Sequence, residues 1–110
     1  MVSARFKYNN IRVEIDGIKF DSKKEAKRYG ELKLLERAGL IKDLQLQVAF
    51  ELVPPQKGGM RKELAVKYIA DFVYTENGQQ VIEDTKGVKT KDYIIKRKLM
   101  KLMGREVREI

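Results

Sequence analysis

Hydrophobic and polar positions change period several times along these 110 residues, and each change marks an element. Ile11-Arg-Val-Glu-Ile15 alternates, the spacing that sends every second side chain to one face of a strand. Asp16-Gly17 is a strong turn dipeptide and Ile18-Lys-Phe20 returns, which predicts a hairpin over about 11–20. The period then lengthens. Ala26, Tyr29, Leu32, Leu35 and Ala38 recur every three residues, predicting the buried stripe of a helix over about 23–38. Ser22 suits the N-cap, Glu25 completes a capping-box spacing, and Gly39 suits the C′ position. Lys23, Lys27, Lys33 and Arg37 fall on the other side.

The second half reads mainly as strands. An apolar stretch with Val48, Phe50, Leu52 and Val53 predicts a strand over about 45–53, ended by Pro54-Pro55. Gln56 to Lys62 is expected to form a flexible basic loop. Strands over about 65–75 and 79–86 are folded back on each other by Glu76-Asn77-Gly78. Thr90 can cap a helix over about 91–103, with Ile95, Leu99 and Leu102 as its buried stripe. After Gly104, a short edge strand is expected within 105–110. The order predicts an α/β (α+β) fold, with a mixed central β-sheet flanked by two helices. No repeat or linker interrupts it, so one domain over 1–110 is expected.

Composition narrows the chemistry. There is no cysteine and no histidine, so disulfides, thiol nucleophiles, Ser-His-Asp triads and His-ligated metals are excluded. Hydrolysis here has to rest on carboxylates, lysines, hydroxyls and a hard, oxygen-bound cation such as Mg²⁺. A formal net charge of +8 favours a polyanionic partner through phosphate attraction and counterion release. The basic residues are spread along the chain, which favours nucleic acid over a membrane surface. No apolar run approaches the roughly 20 residues of a membrane span. A cytoplasmic protein without a membrane partner or small-molecule cofactor is expected.

A carboxylate, one spacer and a lysine occur four times, beginning at Asp21, Glu25, Glu31 and Asp84. On a helix, residues i and i+2 point roughly 200° apart, so the Glu25 and Glu31 matches cannot each form one site. The Asp21 match straddles a helix start. On a strand Asp84 and Lys86 share a face, while Glu83 faces the other way. Asp71 interrupts the apolar run Lys67-Tyr-Ile-Ala-Asp-Phe-Val-Tyr74. Counted from the Asn77-Gly78 turn, it falls nearly opposite Asp84, where a divalent cation would offset the repulsion between the two carboxylates. The competing reading is a solvated Asp84–Lys86 pair with Asp71 salt-bridged elsewhere. Glu25 either caps its own helix or reaches inward as a third carboxylate.

The order helix-borne Glu25, Tyr68-Ile-Ala-Asp71-Phe, Val81-Ile-Glu-Asp84-Thr-Lys86-Gly87 and a basic helix resembles the PD-(D/E)XK nuclease superfamily. It is similar to a small phage or prophage branch and, more distantly, to Holliday-junction resolvases and transposon endonuclease subunits. Ala70 stands where the family name has proline. The resemblance implies a restriction-endonuclease-like core and Mg²⁺-dependent (or Mn²⁺-dependent) DNA cleavage leaving a 5′-phosphate and a 3′-hydroxyl. It implies Asp71, Asp84 and the Thr85 carbonyl as metal ligands, Glu25 as a further ligand, and Lys86 as the residue acting on the attacking water.

Lys57, Arg61, Lys62, Lys89, Lys91, Lys96, Arg97, Lys98 and Lys101 are the candidate phosphate contacts. Gln47 either touches DNA or the metal water, or lies on an exposed strand face. With no base-reading motif, recognition of backbone or shape is expected. One site per domain means that cutting both strands calls for a homodimer. The alternative function is a non-catalytic nucleic-acid-binding protein, or a recombination or transposition accessory module that keeps the fold.

Overall fold

A computed structural model describes residues 12–85 and 87–110, so Ile11 of the expected hairpin and the candidate Lys86 lie outside the described residues. The chain divides into two compact units, 1–42 and 43–110.

In the first unit, β1 (Val13–Ile15) pairs antiparallel with β2 (Ile18–Phe20). Asp16 and Gly17 both take left-handed backbone, at φ of 55° and 77°. Two left-handed residues in a two-residue loop match the right-handed twist of the strands. Helix α1 (Lys23–Arg37) follows, and the Ser22 hydroxyl accepts the Glu25 N–H at 3.1 Å. Its buried residues are Ala26, Tyr29 and Leu32, and the Tyr29 ring lies 5.0 Å from that of Phe20. The predicted stripe is too long: Leu35 is only half-buried and Ala38 is exposed. Each three-residue step falls about 60° short of a full turn, so such a row leaves the buried side within a few steps. Gly39, at φ 77°, closes the helix, its N–H reaching the Glu36 carbonyl while Leu40 N–H reaches that of Leu35.

The second unit is built on a four-stranded sheet in the order β3 (Lys42–Val53), β6 (Val66–Glu76), β7 (Gln79–Asp84), β8 (Val107–Glu109). β6 and β7 are antiparallel across Asn77-Gly78, and β7 and β8 are parallel. A parallel pair needs a crossover, which helix α2 (Lys91–Leu102) supplies. Among the described residues the fold is therefore α+β, with a mixed sheet and two helices. Phe50, Tyr68, Ala70, Val73 and Ile82 from the sheet form one core with Tyr93 and Met100 of α2.

Two expectations are corrected in this unit. The buried residues of α2 are Tyr93 and Met100, with Ile94 partly buried against the same core, whereas Ile95 is 58% and Leu102 83% exposed. Tyr93 and Met100 are seven residues apart, two turns along one face. The Tyr93 ring then packs on Tyr68 while its hydroxyl reaches β8, a combination that decides the phase. The expected loop 56–62 is instead a β-hairpin, β4 (Gln56–Gly58) and β5 (Arg61–Glu63), forming its own two-stranded sheet. Gly59 at φ 58° begins its two-residue turn, the position where glycine is favoured in a type II′ turn.

Candidate active site at the end of the β6–β7 ladder

The antiparallel register pairs Phe72 with Glu83 and Val73 with Ile82, and the ladder runs no further toward Asp71. Asp71 and Asp84 are the next residues out on the two strands. Tyr68, Ala70 and Val73 all belong to the core beneath α2, although strict alternation would separate Ala70 from Val73. The alternation slips by one residue at Asp71–Phe72, as a β-bulge makes it do, and bulges re-aim side chains beside functional sites.

At this position the Asp71 carboxylate has a backbone partner. Its Oδ2 accepts both the Thr85 N–H and the Thr85 hydroxyl, each at 2.9 Å. Its Oδ1 accepts from Gln47 Nε2 at 3.3 Å. Gln47 lies within β3 yet takes φ 54°, a left-handed conformation that costs a non-glycine residue about 1–2 kcal/mol. Of the two readings for Gln47, the exposed face of an edge strand is the one found, and from there the side chain also reaches the Asp71 carboxylate.

Asp84 is fully buried and accepts the Tyr68 hydroxyl. Burial, then the hydrogen bond to Asp84, then the charges of Asp84, Tyr93 and Asp71 raise the Tyr68 pKa. The hydroxyl thus stays protonated and donates at any physiological pH, and both carboxylates lie close enough to act on it. Glu83 is equally buried, but it accepts from Tyr74 and lies 3.9 Å from Arg108. Strand alternation separates the two adjacent acids, as the sequence predicts.

The remaining candidates are distributed as follows. Glu25 belongs to the first unit, half-buried in the first turn of α1. Thr85 meets Asp71 through its N–H and hydroxyl. Lys57, Arg61 and Lys62 are exposed on the β4–β5 hairpin, and Lys91, Lys98 and Lys101 are exposed on α2. Lys96 pairs with Asp92 at 3.4 Å, and Lys89 with Glu109 at 3.1 Å.

Glu109 escaped the sequence reading, as did Tyr68 and Tyr93. Parallel pairing sets Glu109 opposite Asp84, where it accepts from Tyr93 at 2.7 Å and Arg97 at 3.2 Å as well as meeting Lys89. Beside it a depression of about 420 Å³ is lined by Arg97, Lys98, Lys101, Glu106 and Val107. The buried tyrosines carried one signal, since a buried hydroxyl requires a polar partner. Glu109 carried none.

The Tyr93 hydrogen bond, then that from Lys89, and the charges of Lys89 and Arg97 hold the Glu109 carboxyl below its ordinary value of 4.5, against the opposing effect of burial. A lowered folded pKa adds stability that is fully present above 4.5 and lost as pH falls through the lower folded value. Glu109→Gln is therefore expected to be less stable than wild type near neutrality, with the difference closing as the pH falls below 4.5 and through the lower folded value. Urea denaturation at a series of pH values measures this; a gap that stays constant on acidification contradicts it.

Among the described residues, no group of three or more His, Cys, Asp or Glu side chains could hold a metal ion. The donors at the ladder end are two carboxylates and Thr85, all hard oxygens. That set suits Mg²⁺, which retains several waters and binds one or two carboxylates together with substrate phosphates. No described helix is long and apolar enough to cross a membrane.

Comparison with known proteins finds no match among curated proteins and none among solved structures. Residues 5–110 match the family model described as "Protein of unknown function (DUF1064)", and the chain belongs to that family.

Proposed function

We propose that this chain is a metal-dependent DNA endonuclease, phage-related and directed by backbone or DNA shape. The observation that carries the reading is the convergence of Asp71 and Asp84 at the end of the β6–β7 ladder, immediately before Lys86 in the chain. The resemblance to the PD-(D/E)XK superfamily and the net charge of +8 support it.

In this reading Asp71, Asp84 and the Thr85 carbonyl would hold Mg²⁺ or Mn²⁺. When bound, the cation would supply a more acidic water and stabilise charge on the phosphate. Thr85 and Gln47 hold the Asp71 oxygens in place, and the Tyr68 hydroxyl holds Asp84. Lys86 orients the attacking water and offsets phosphate charge. Water adds to phosphorus, the bond to the 3′ oxygen breaks, and that oxygen leaves with a proton.

Incubation with linear, nicked, flapped and four-way-junction DNA tests the proposal. Cleavage is expected in Mg²⁺ and Mn²⁺ and none in EDTA; if no substrate is cut with either metal, a stand-alone nuclease is ruled out. The alternative is a DNA-binding or accessory module that keeps the fold. Binding without cleavage of any substrate is its signature.

A further inference from the structure

The β4–β5 hairpin has no role in the core or in the ladder-end site. Its strands pair only with each other, and all six strand residues are exposed. A two-stranded hairpin by itself is marginal in water. This one also carries a liability: Lys57 stands directly opposite Lys62, and like charges directly opposed destabilise a strand pair. An anionic partner reverses the sign of that term.

The register shows what kind of anion fits. Directly paired residues share a face, so Lys57 and Lys62 project from one side of the ribbon. Arg61, one residue on from the turn and paired with Gly58, projects from the other. A protein partner docked on the ribbon would neutralise one face. A ribbon lying within a DNA groove has phosphates on both sides. At the tip, Met60 follows left-handed Gly59 and is 102% exposed, an apolar side chain at the end of an otherwise cationic arm. Unbranched apolar side chains of this type act as wedges between base steps in proteins that enter the minor groove.

We propose that the β4–β5 hairpin is a DNA-inserting arm: Lys57, Lys62 and Arg61 straddle the minor groove of a duplex while Met60 enters a base step. It rests on the reading of the chain as a protein that acts on DNA, and it adds the substrate class. Steps that unstack easily, such as TA, nicks and mismatches, are favoured over stiff A-tracts, because the wedge works against base stacking.

The test measures binding in EDTA, where no cleavage occurs, by anisotropy of a fluorescein-labelled duplex and by fluorescence of 2-aminopurine placed at a TA step. The double variant Lys57→Ala/Lys62→Ala is expected to flatten the slope of log affinity against log salt by about 1.8, at about 0.9 per phosphate contact. Wild type is expected to raise the 2-aminopurine signal, Met60→Ser to abolish the rise with the salt slope retained, and Met60→Phe to restore it. Circular dichroism checks that each variant is folded. Unchanged slope and unstacking in these variants overturn the arm, even where Asp84→Asn abolishes cleavage and upholds the nuclease. Hairpin-dependent binding and unstacking by a protein that cuts nothing leaves the arm standing and removes the nuclease. A wild-type protein that binds no duplex overturns the arm, while the nuclease reading stands or falls by the cleavage assay.

Discussion

Asp84→Asn is expected to lower Mg²⁺-supported DNA cleavage by about 10³-fold or more, the scale of the several kcal/mol a catalytic cation contributes. Asparagine retains an oxygen to accept the Tyr68 hydroxyl, so the fold and DNA affinity in EDTA are expected to change little. Glu83→Gln is the matched control. That neighbouring acid is equally buried but belongs to the Tyr74–Arg108 side of the sheet. Its loss is expected to weaken a buried hydrogen-bonded group by about 1–3 kcal/mol with cleavage per folded molecule preserved. Denaturation midpoints and single-turnover cleavage separate the two. If Asp84→Asn cuts as fast as wild type, the site is misplaced whatever the function.

Met100→Ala is expected to destabilise the second unit by about 2–5 kcal/mol, the range for truncating a large buried side chain to alanine. Met100 is fully buried between α2 and the sheet, among Tyr68, Val73 and Ile82. Leu102→Ser on the same helix is expected to fall within about 0.5 kcal/mol of wild type, because that leucine is already in solvent. Urea unfolding followed by far-UV dichroism compares them. A larger loss at Leu102 would mean that α2 packs by the stripe its apolar spacing predicts and not by the Tyr93–Met100 face.

The elements with strong local signals were legible residue by residue. Asp16-Gly17 and Asn77-Gly78 supply paired left-handed positions, Ser22 and Thr90 cap helices, and Gly39 and Gly104 end them. Each works through atoms a few positions away in the chain, so sequence spacing is enough. The separation of Asp84 from Glu83 was legible for the same reason, since strand alternation is local. Helix phase was less so. Ile95 and Leu102 are as apolar as the residues that are buried, and only the partners Tyr68 and Glu109 turn α2 toward Tyr93 and Met100.

For Asp71 and Asp84, the sequence by itself determined that two carboxylates lie on adjacent antiparallel strands near the end of their pairing. Tertiary structure alone decided what surrounds them. The buried positions slip out of alternation at Asp71–Phe72, and where the ladder ends Thr85 donates to the Asp71 carboxylate. The Gln47 contact depends on sheet order and an unfavourable backbone angle on β3. Glu109 meets Asp84 only because α2 carries the chain over to a parallel strand, a pairing across 25 residues that no local spacing encodes. The basic segment 56–62 reads as a loop because its strands are short, polar and glycine-containing. Cross-strand pairing makes it a ribbon and sets Lys57 against Lys62.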